Sequence, residues 1–168
     1  MTKYLIDTNS LIDAKDSFYA FDICPGFWNA LMRHHASGEL FSIDRVRDEI
    51  VDGNDRLVSW ARKMPKGFFV GSNTTDIVQR FSEIIQWVQA NFQRQSAVSS
   101  FAAKADGWLI ATAKVEGYTI VCEEQFNPLS QKRVPNPNVC VQFGVPYCNV
   151  FELLGKLKVK FGLKKLKA

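Results

Sequence analysis

The sequence predicts an α/β protein, a three-layer α/β/α sandwich around a central, mainly parallel sheet. Short apolar runs such as Tyr4-Leu5-Ile6, Phe41-Ser42-Ile43, Phe68-Phe69-Val70 and Tyr118-Thr119-Ile120-Val121 have the length of buried strands. Between them lie stretches with helical spacing. The clearest covers residues 75–92, where Ile77, Phe81, Ile84, Ile85, Val88 and Phe92 recur every three or four positions and give one apolar face. Strands that alternate with helices build a mainly parallel sheet with helices on its faces. With 168 residues, 46% of them hydrophobic and 23% charged, the chain has the material for one such core.

Taken in order, Tyr4-Leu5-Ile6 runs into Asp7-Thr8-Asn9-Ser10, a group of helix-capping residues, so a strand feeds directly into a helix carrying Leu11 and Ile12. Pro25-Gly26 interrupts, and a second helix is expected over residues 27–35, stopping at Ser37-Gly38. The strand at Phe41-Ser42-Ile43 leads into a helix through Val46, Glu49 and Ile50 that ends near Gly53. Leu57, Val58 and Trp60 mark a further helix that stops before Pro65. Residues 106–116 form a strong helix with Asp106 in its first turn and Gly117 as its stop. Pro128, Pro135 and Pro137 make residues 127–138 a loop. A short helix at 138–143, a strand at 147–149 and a last helix from Phe151 complete one domain over residues 1–155, with a tail at 156–168.

The net charge of +4 is unevenly placed. The tail holds six lysines and no acid, which leaves 15 basic against 17 acidic residues in the body. No apolar run reaches the roughly 20 residues needed to span a bilayer. Asp7 also breaks the N-terminal apolar stretch where a signal peptide would continue, so a cytoplasmic protein with no membrane association is expected. Cys24, Cys122, Cys140 and Cys148 form no CxxC pair and have no His nearby, and they read as reduced, mostly buried thiols.

The chemistry lies in the acids. In an open α/β sheet, ligands bind beyond the carboxyl ends of the strands. Asp7 follows one strand directly and Glu123-Glu124 follow another, Asp106 opens the helix leading into the second, and Glu49 lies in a helix after a third. Like charges held together repel. A hard cation, Mg²⁺ or Mn²⁺, resolves that repulsion through carboxylate oxygens and water. Such a site serves phosphodiester hydrolysis.

The blocks Tyr4-Leu5-Ile6-Asp7-Thr8-Asn9-Ser10-Leu11-Ile12, Ala105-Asp106-Gly107-Trp108-Leu109-Ile110-Ala111-Thr112-Ala113 and Ile120-Val121-Cys122-Glu123-Glu124 resemble, in order and spacing, the three signature blocks of PIN domains. Val46-Arg47-Asp48-Glu49-Ile50 stands where that family has its second acidic helix. The resemblance covers residues 3–154 and is closest to a bacterial toxin–antitoxin branch of PIN-like proteins. It implies a PIN-like fold and a metal-dependent endoribonuclease with Asp7, Glu49, Asp106 and Glu124 as metal ligands and catalytic acids. Asn9 and Ser10 would support the first helix and a water. It further implies an RNA substrate, an antitoxin partner and a homodimer. Many PIN domains carry Asp at the fourth site within Thr-x-Asp-x-Asp-Phe, whereas this chain has Cys122-Glu123-Glu124-Gln125-Phe126. Strand alternation puts Glu123 and Glu124 on opposite faces, so Glu123 is the rival for that place.

Each acid also has an ordinary reading. Asp7 serves as a helix cap worth about 1 kcal/mol, Asp106 as a favourable first-turn charge, and Glu49 as an exposed helix residue. Asp13, Asp44, Asp48 and Asp52 read as solvated surface. His34-His35 point apart on a helix and are not read as a base, and the four Trp are read as core. Lys132 and Arg133 in the Pro-rich loop, with Lys156, Lys158 and Lys160 in the tail, are the candidates for contact with RNA phosphates. The tail's alternative readings are a solvated helix end, plain disorder and a membrane-surface helix, for which Gly162 makes it a poor amphipath.

Overall fold

The computed structural model describes residues 1–162. Lys164, Lys165 and Lys167 of the basic tail lie outside the described residues. Five strands, β1 (Tyr4–Ile6), β2 (Leu40–Ile43), β3 (Phe69–Val70), β4 (Thr119–Val121) and β5 (Tyr147–Cys148), form one sheet in the order β3-β2-β1-β4-β5. Every neighbouring pair is parallel. Successive side chains of a strand face opposite sides of the sheet. Leu5 and Ile6 are both fully buried, as are Ile120 and Val121, so both faces of the central strands are covered. The protein is therefore a three-layer α/β/α fold around an all-parallel sheet.

The strand order places the functional end. From β1 the chain moves to β2 on one side and, after several helices, to β4 on the other. The crevice past the carboxyl ends of β1 and β4 is thus the switch point at which open parallel sheets bind ligands. Two buried hydroxyls satisfy strand carbonyls there. Ser42 Oγ donates to the Ile6 carbonyl at 2.7 Å, and Ser10 Oγ to that of Val121 at 3.3 Å.

Nine helices lie among the described residues: α1 (Thr8–Asp16), α2 (Pro25–Ala36), α3 (Asp44–Val51), α4 (Arg56–Lys63), α5 (Thr75–Asn91), α6 (Gln95–Ala103), α7 (Asp106–Glu116), α8 (Asn136–Phe143) and α9 (Val150–Lys156). Two boundaries differ from the sequence pattern. Pro25 opens α2 rather than interrupting the chain before it, because its missing N–H and fixed φ suit the first helical turn. The Pro-rich loop stops at Pro135, and Asn136-Pro137 are already helical. The pattern gave no sign of α6.

Helix α7 is the spine of one side. It packs on α5, α6 and α8, and its backbone is closely approached at Gly107, beside Asp106. A Cβ there would meet Phe81 Cε2 at 2.9 Å and Phe101 Cε1 at 3.2 Å. Phe81 cannot swing aside freely, because its ring stacks on Trp108 at 3.8 Å between centroids. The Arg45 guanidinium lies 3.7 Å from the same Trp108 centroid. Two groups this close to one centroid must cover opposite faces, so Trp108 offers none to a base. Trp28 and Trp60 are buried in the core. No helix among the described residues is long and apolar enough to cross a membrane.

Gly107→Ala should therefore cost about 1–3 kcal/mol through overpacking. The melting temperature should fall by roughly 2–10 °C. An unchanged value would mean that α5, α6 and α7 are more loosely packed than described.

Candidate metal centre and its cleft

Asp7 ends β1 with extended backbone and caps α1. Its Oδ1 accepts from the Ser10 amide at 2.7 Å. A capping role accounts for that one oxygen only. Asp7 is 1% exposed, and Oδ2 is buried with no partner. A buried carboxylate oxygen left unpaired is costly while the group is ionised. Burial pushes the Asp7 pKa up to about 8. The Ser10 hydrogen bonds pull it down, and the charges of Asp106 and Glu124 push it further up.

Asp106 stands in the first turn of α7. Burial raises its pKa, the Glu124 and Glu49 charges add to the rise, and Asn136 and Lys104 oppose it. Asn136 Nδ2 donates to Asp106 Oδ1 at 3.0 Å. The backbone N–H of Asn136 also donates to Glu124 Oε2 at 2.6 Å, and Arg133 pairs with Glu124 Oε1. One residue at the start of α8 therefore orients two of the acids. Its own Oδ1 is buried without a partner.

Glu49 is a bridge. Its Oε2 accepts from the Thr8 hydroxyl and its Oε1 from the Ala105 amide at 2.7 Å. It thereby ties the start of α1 to the start of α7 from α3. Glu123 turns away from this cluster, and its Oε1 accepts from the Val150 amide at 2.8 Å, at the N-terminus of α9. Asp106 and Glu124 line a cleft of about 170 Å³ together with Asn9, which reaches in from α1. The remaining lining comes from α6 and from the Pro-rich loop, with Lys104, Lys132 and Arg133 as its cations.

Asp106 and Glu124 are thus close enough to act on Asp7, and Glu124 and Glu49 on Asp106. They do not form a ready ligand shell. Among the described residues no three Asp, Glu, His or Cys side chains stand together as a metal-binding group. Both oxygens of Glu49 and both of Glu124 are held by protein donors.

Other assigned residues lie elsewhere. Lys160 lines a groove against α2, and beside it Phe161 sits 6.2 Å from Tyr19, ring to ring, so the described part of the tail runs along the α2 side. Lys156 ends α9 and Lys158 follows it, and neither is in the cleft lining. Asp44 is tied to Ser72 through its hydroxyl and its amide. His34 pairs with Glu39 at 2.7 Å. The four cysteines are free, and burial pushes the Cys140 thiol up to about 12, so it stays protonated at neutral pH. Sequence reasoning missed Thr8 and Asn136 as supports of the acids, and Ser96, Ser100 and Lys104 as cleft residues. The placing of Asn136 between two prolines was the available signal for one of them.

The family described as a domain of unknown function (DUF4411) matches residues 4–161, and the chain belongs to that family. No curated protein matches the chain.

The raised Asp7 value sets a pH dependence. The folded carboxyl holds its proton to about pH 8 and the unfolded one only to about pH 4, so the native state binds more protons between those limits. Stability without added metal should then fall as pH rises from about 4 to 8. Asp7→Asn removes that penalty. Melting in EDTA should show the variant and the parent alike near pH 4. At pH 8 the variant should be more stable by about 2 kcal/mol or more, roughly 4–8 °C. A difference independent of pH would contradict the burial of this charge.

Proposed function

We propose that this member of the DUF4411 family is a metal-dependent endoribonuclease that hydrolyses RNA phosphodiester bonds, the toxin of a toxin–antitoxin pair. The observation that carries the reading is the buried Asp7 carboxylate, with one unpartnered oxygen, in the field of Asp106 and Glu124 at the switch point of a parallel sheet. The resemblance of the three sequence blocks to PIN domains supplies the RNA substrate, the toxin role, the antitoxin and the homodimer.

The residues fit a divalent cation. Asp7 Oδ2 and Asn136 Oδ1 are buried oxygens without partners, and neighbouring acids add to the raised proton affinity of Asp7 and Asp106. Hard oxygen donors of this kind suit Mg²⁺ or Mn²⁺. When bound, the cation supplies a water of lowered pKa and neutralises charge developing on the phosphate. Asp7 and Asp106 would hold it, and Asn136 fixes the orientation of Asp106. Glu49 keeps the helix starts at Thr8 and Ala105 in register, and joins the ligands if its two donors release it. Glu124 would hold the cation in place of Arg133, whose guanidinium would then be available to a substrate phosphate.

A second reading has its own support. Because both oxygens of Glu49 and Glu124 are satisfied within the chain, the same site serves a non-catalytic RNA- or partner-binding scaffold equally well.

Calorimetry with Mn²⁺ at neutral pH separates the two. The nuclease reading expects binding that Asp7→Asn and Asp106→Asn each abolish. Each substitution should also reduce Mg²⁺-dependent RNA cleavage by more than about 100-fold, beyond the loss of a supporting contact alone. No Mn²⁺ binding by an intact fold favours the scaffold. Full cleavage, or full growth inhibition on expression, in both variants overturns the nuclease assignment.

A further inference from the structure

We infer that α6 is a backbone-tracking ridge for a single RNA strand, with Ser96, Ser100 and Lys104 contacting phosphates that flank the one at the acids. The inference rests on the nuclease reading for the identity of the substrate. The ridge is a feature of the helix itself. Positions four apart lie above one another on a helix, so Ser96 and Ser100 form a stripe on α6, and Lys104, the residue that caps its C-terminus, continues it into the cleft. Ala97, Val98 and Phe101 are buried in the core, which fixes the rotation of α6 and turns that stripe outward. All three stripe residues are exposed, and all three line the same cleft as Asp106 and Glu124.

The chemistry of the stripe suits a phosphodiester. Hydroxyls and an ammonium donate to non-bridging oxygens, and a cation offsets the charge. Among the described residues neither serine hydroxyl has a protein partner and Lys104 forms no ion pair, so all three are available to a ligand. The Pro-rich loop adds Lys132 and Arg133 to the same cleft. An acidic site repels a polyanion, and these cations supply the compensation its substrate requires.

The dimensions favour one strand. From Ser96 to its last residue, Ala103, the helix rises about 10 Å, and Lys104 follows directly. A stacked strand advances about 3.4 Å per phosphate, so the ridge follows about three of them. It is a single helix wide and reads one backbone. Its groups address phosphates, so recognition along it is by charge and spacing.

The test uses the full chain and a fluorescein-labelled eight-nucleotide oligouridylate, with anisotropy measured in EDTA over a series of salt concentrations. Ser96→Ala/Ser100→Ala/Lys104→Gln changes only exposed side chains, and circular dichroism monitors the fold. The variant should bind about tenfold more weakly, and its log–log salt slope should be shallower by about 0.7 for the one cation lost with Lys104. In Mg²⁺ the Ser96→Ala/Ser100→Ala pair, which leaves Lys104 beside Asp106, should raise KM for cleavage with kcat unchanged within about twofold. An unchanged affinity and slope overturns the ridge, as does a fall in kcat at constant KM. If the parent chain cleaves nothing but the slope still changes, the ridge stands as an RNA surface and the nuclease reading falls instead.

Discussion

The fold keeps a carboxylate where water cannot reach it. Asp7 is placed by two demands at once. The strand Tyr4–Ile6 must end at the centre of the sheet, and α1 must begin without a break, so the residue between them has to cap the helix from within the core. Ser10 meets half of that group's needs, and the other oxygen is left in a low-dielectric pocket with two more acids nearby. A protein built only for stability would place serine or asparagine here, which caps as well without a charge. What surrounds Asp7 follows from this constraint. Glu49 ties together the helix starts that frame it, and Asn136 holds Asp106 and Glu124 in position.

The cleft above the acids has two chemistries. Its floor carries negative charge and its lining carries Lys104, Lys132 and Arg133. The Arg133–Glu124 pair joins them, with a mostly exposed guanidinium resting on a carboxylate that is only 16% exposed. Such a pair adds little stability by itself. It does keep the acid oriented, and it holds Arg133 in the lining of the cleft.

Part of this could be read from the amino acids. The apolar runs at Tyr4–Ile6 and Thr119–Val121 end abruptly on acids, and that local contrast is enough to put Asp7 and Glu124 at strand ends. The periodicity of α5 and the Asp106–Gly117 frame of α7 are equally local. What the sequence hid depends on contacts between distant segments. Ser96, Ser99 and Ser100 weaken the helical signal of α6, because serine competes for the backbone in caps and turns. The helix stands on the burial of Ala97, Val98 and Phe101. Nothing local distinguishes Glu123 from Glu124. The two separate because Val150 presents an amide to one, while Asn136 and Arg133 take the other. The lysines of the tail read as one basic block in sequence, yet the chain carries Lys160 to the α2 side.

The central claim is that the buried Asp7 carboxyl is there to ionise onto a divalent cation, and the carboxyl group itself can report on it. Carbon-13 NMR of the Asp7 carboxyl should show titration near pH 8 without metal. With saturating Mg²⁺ the titration should move down by about two units or more, because an adjacent positive charge favours the ionised form. An Asp7 carboxyl that titrates at the same pH with and without Mg²⁺ would contradict the account.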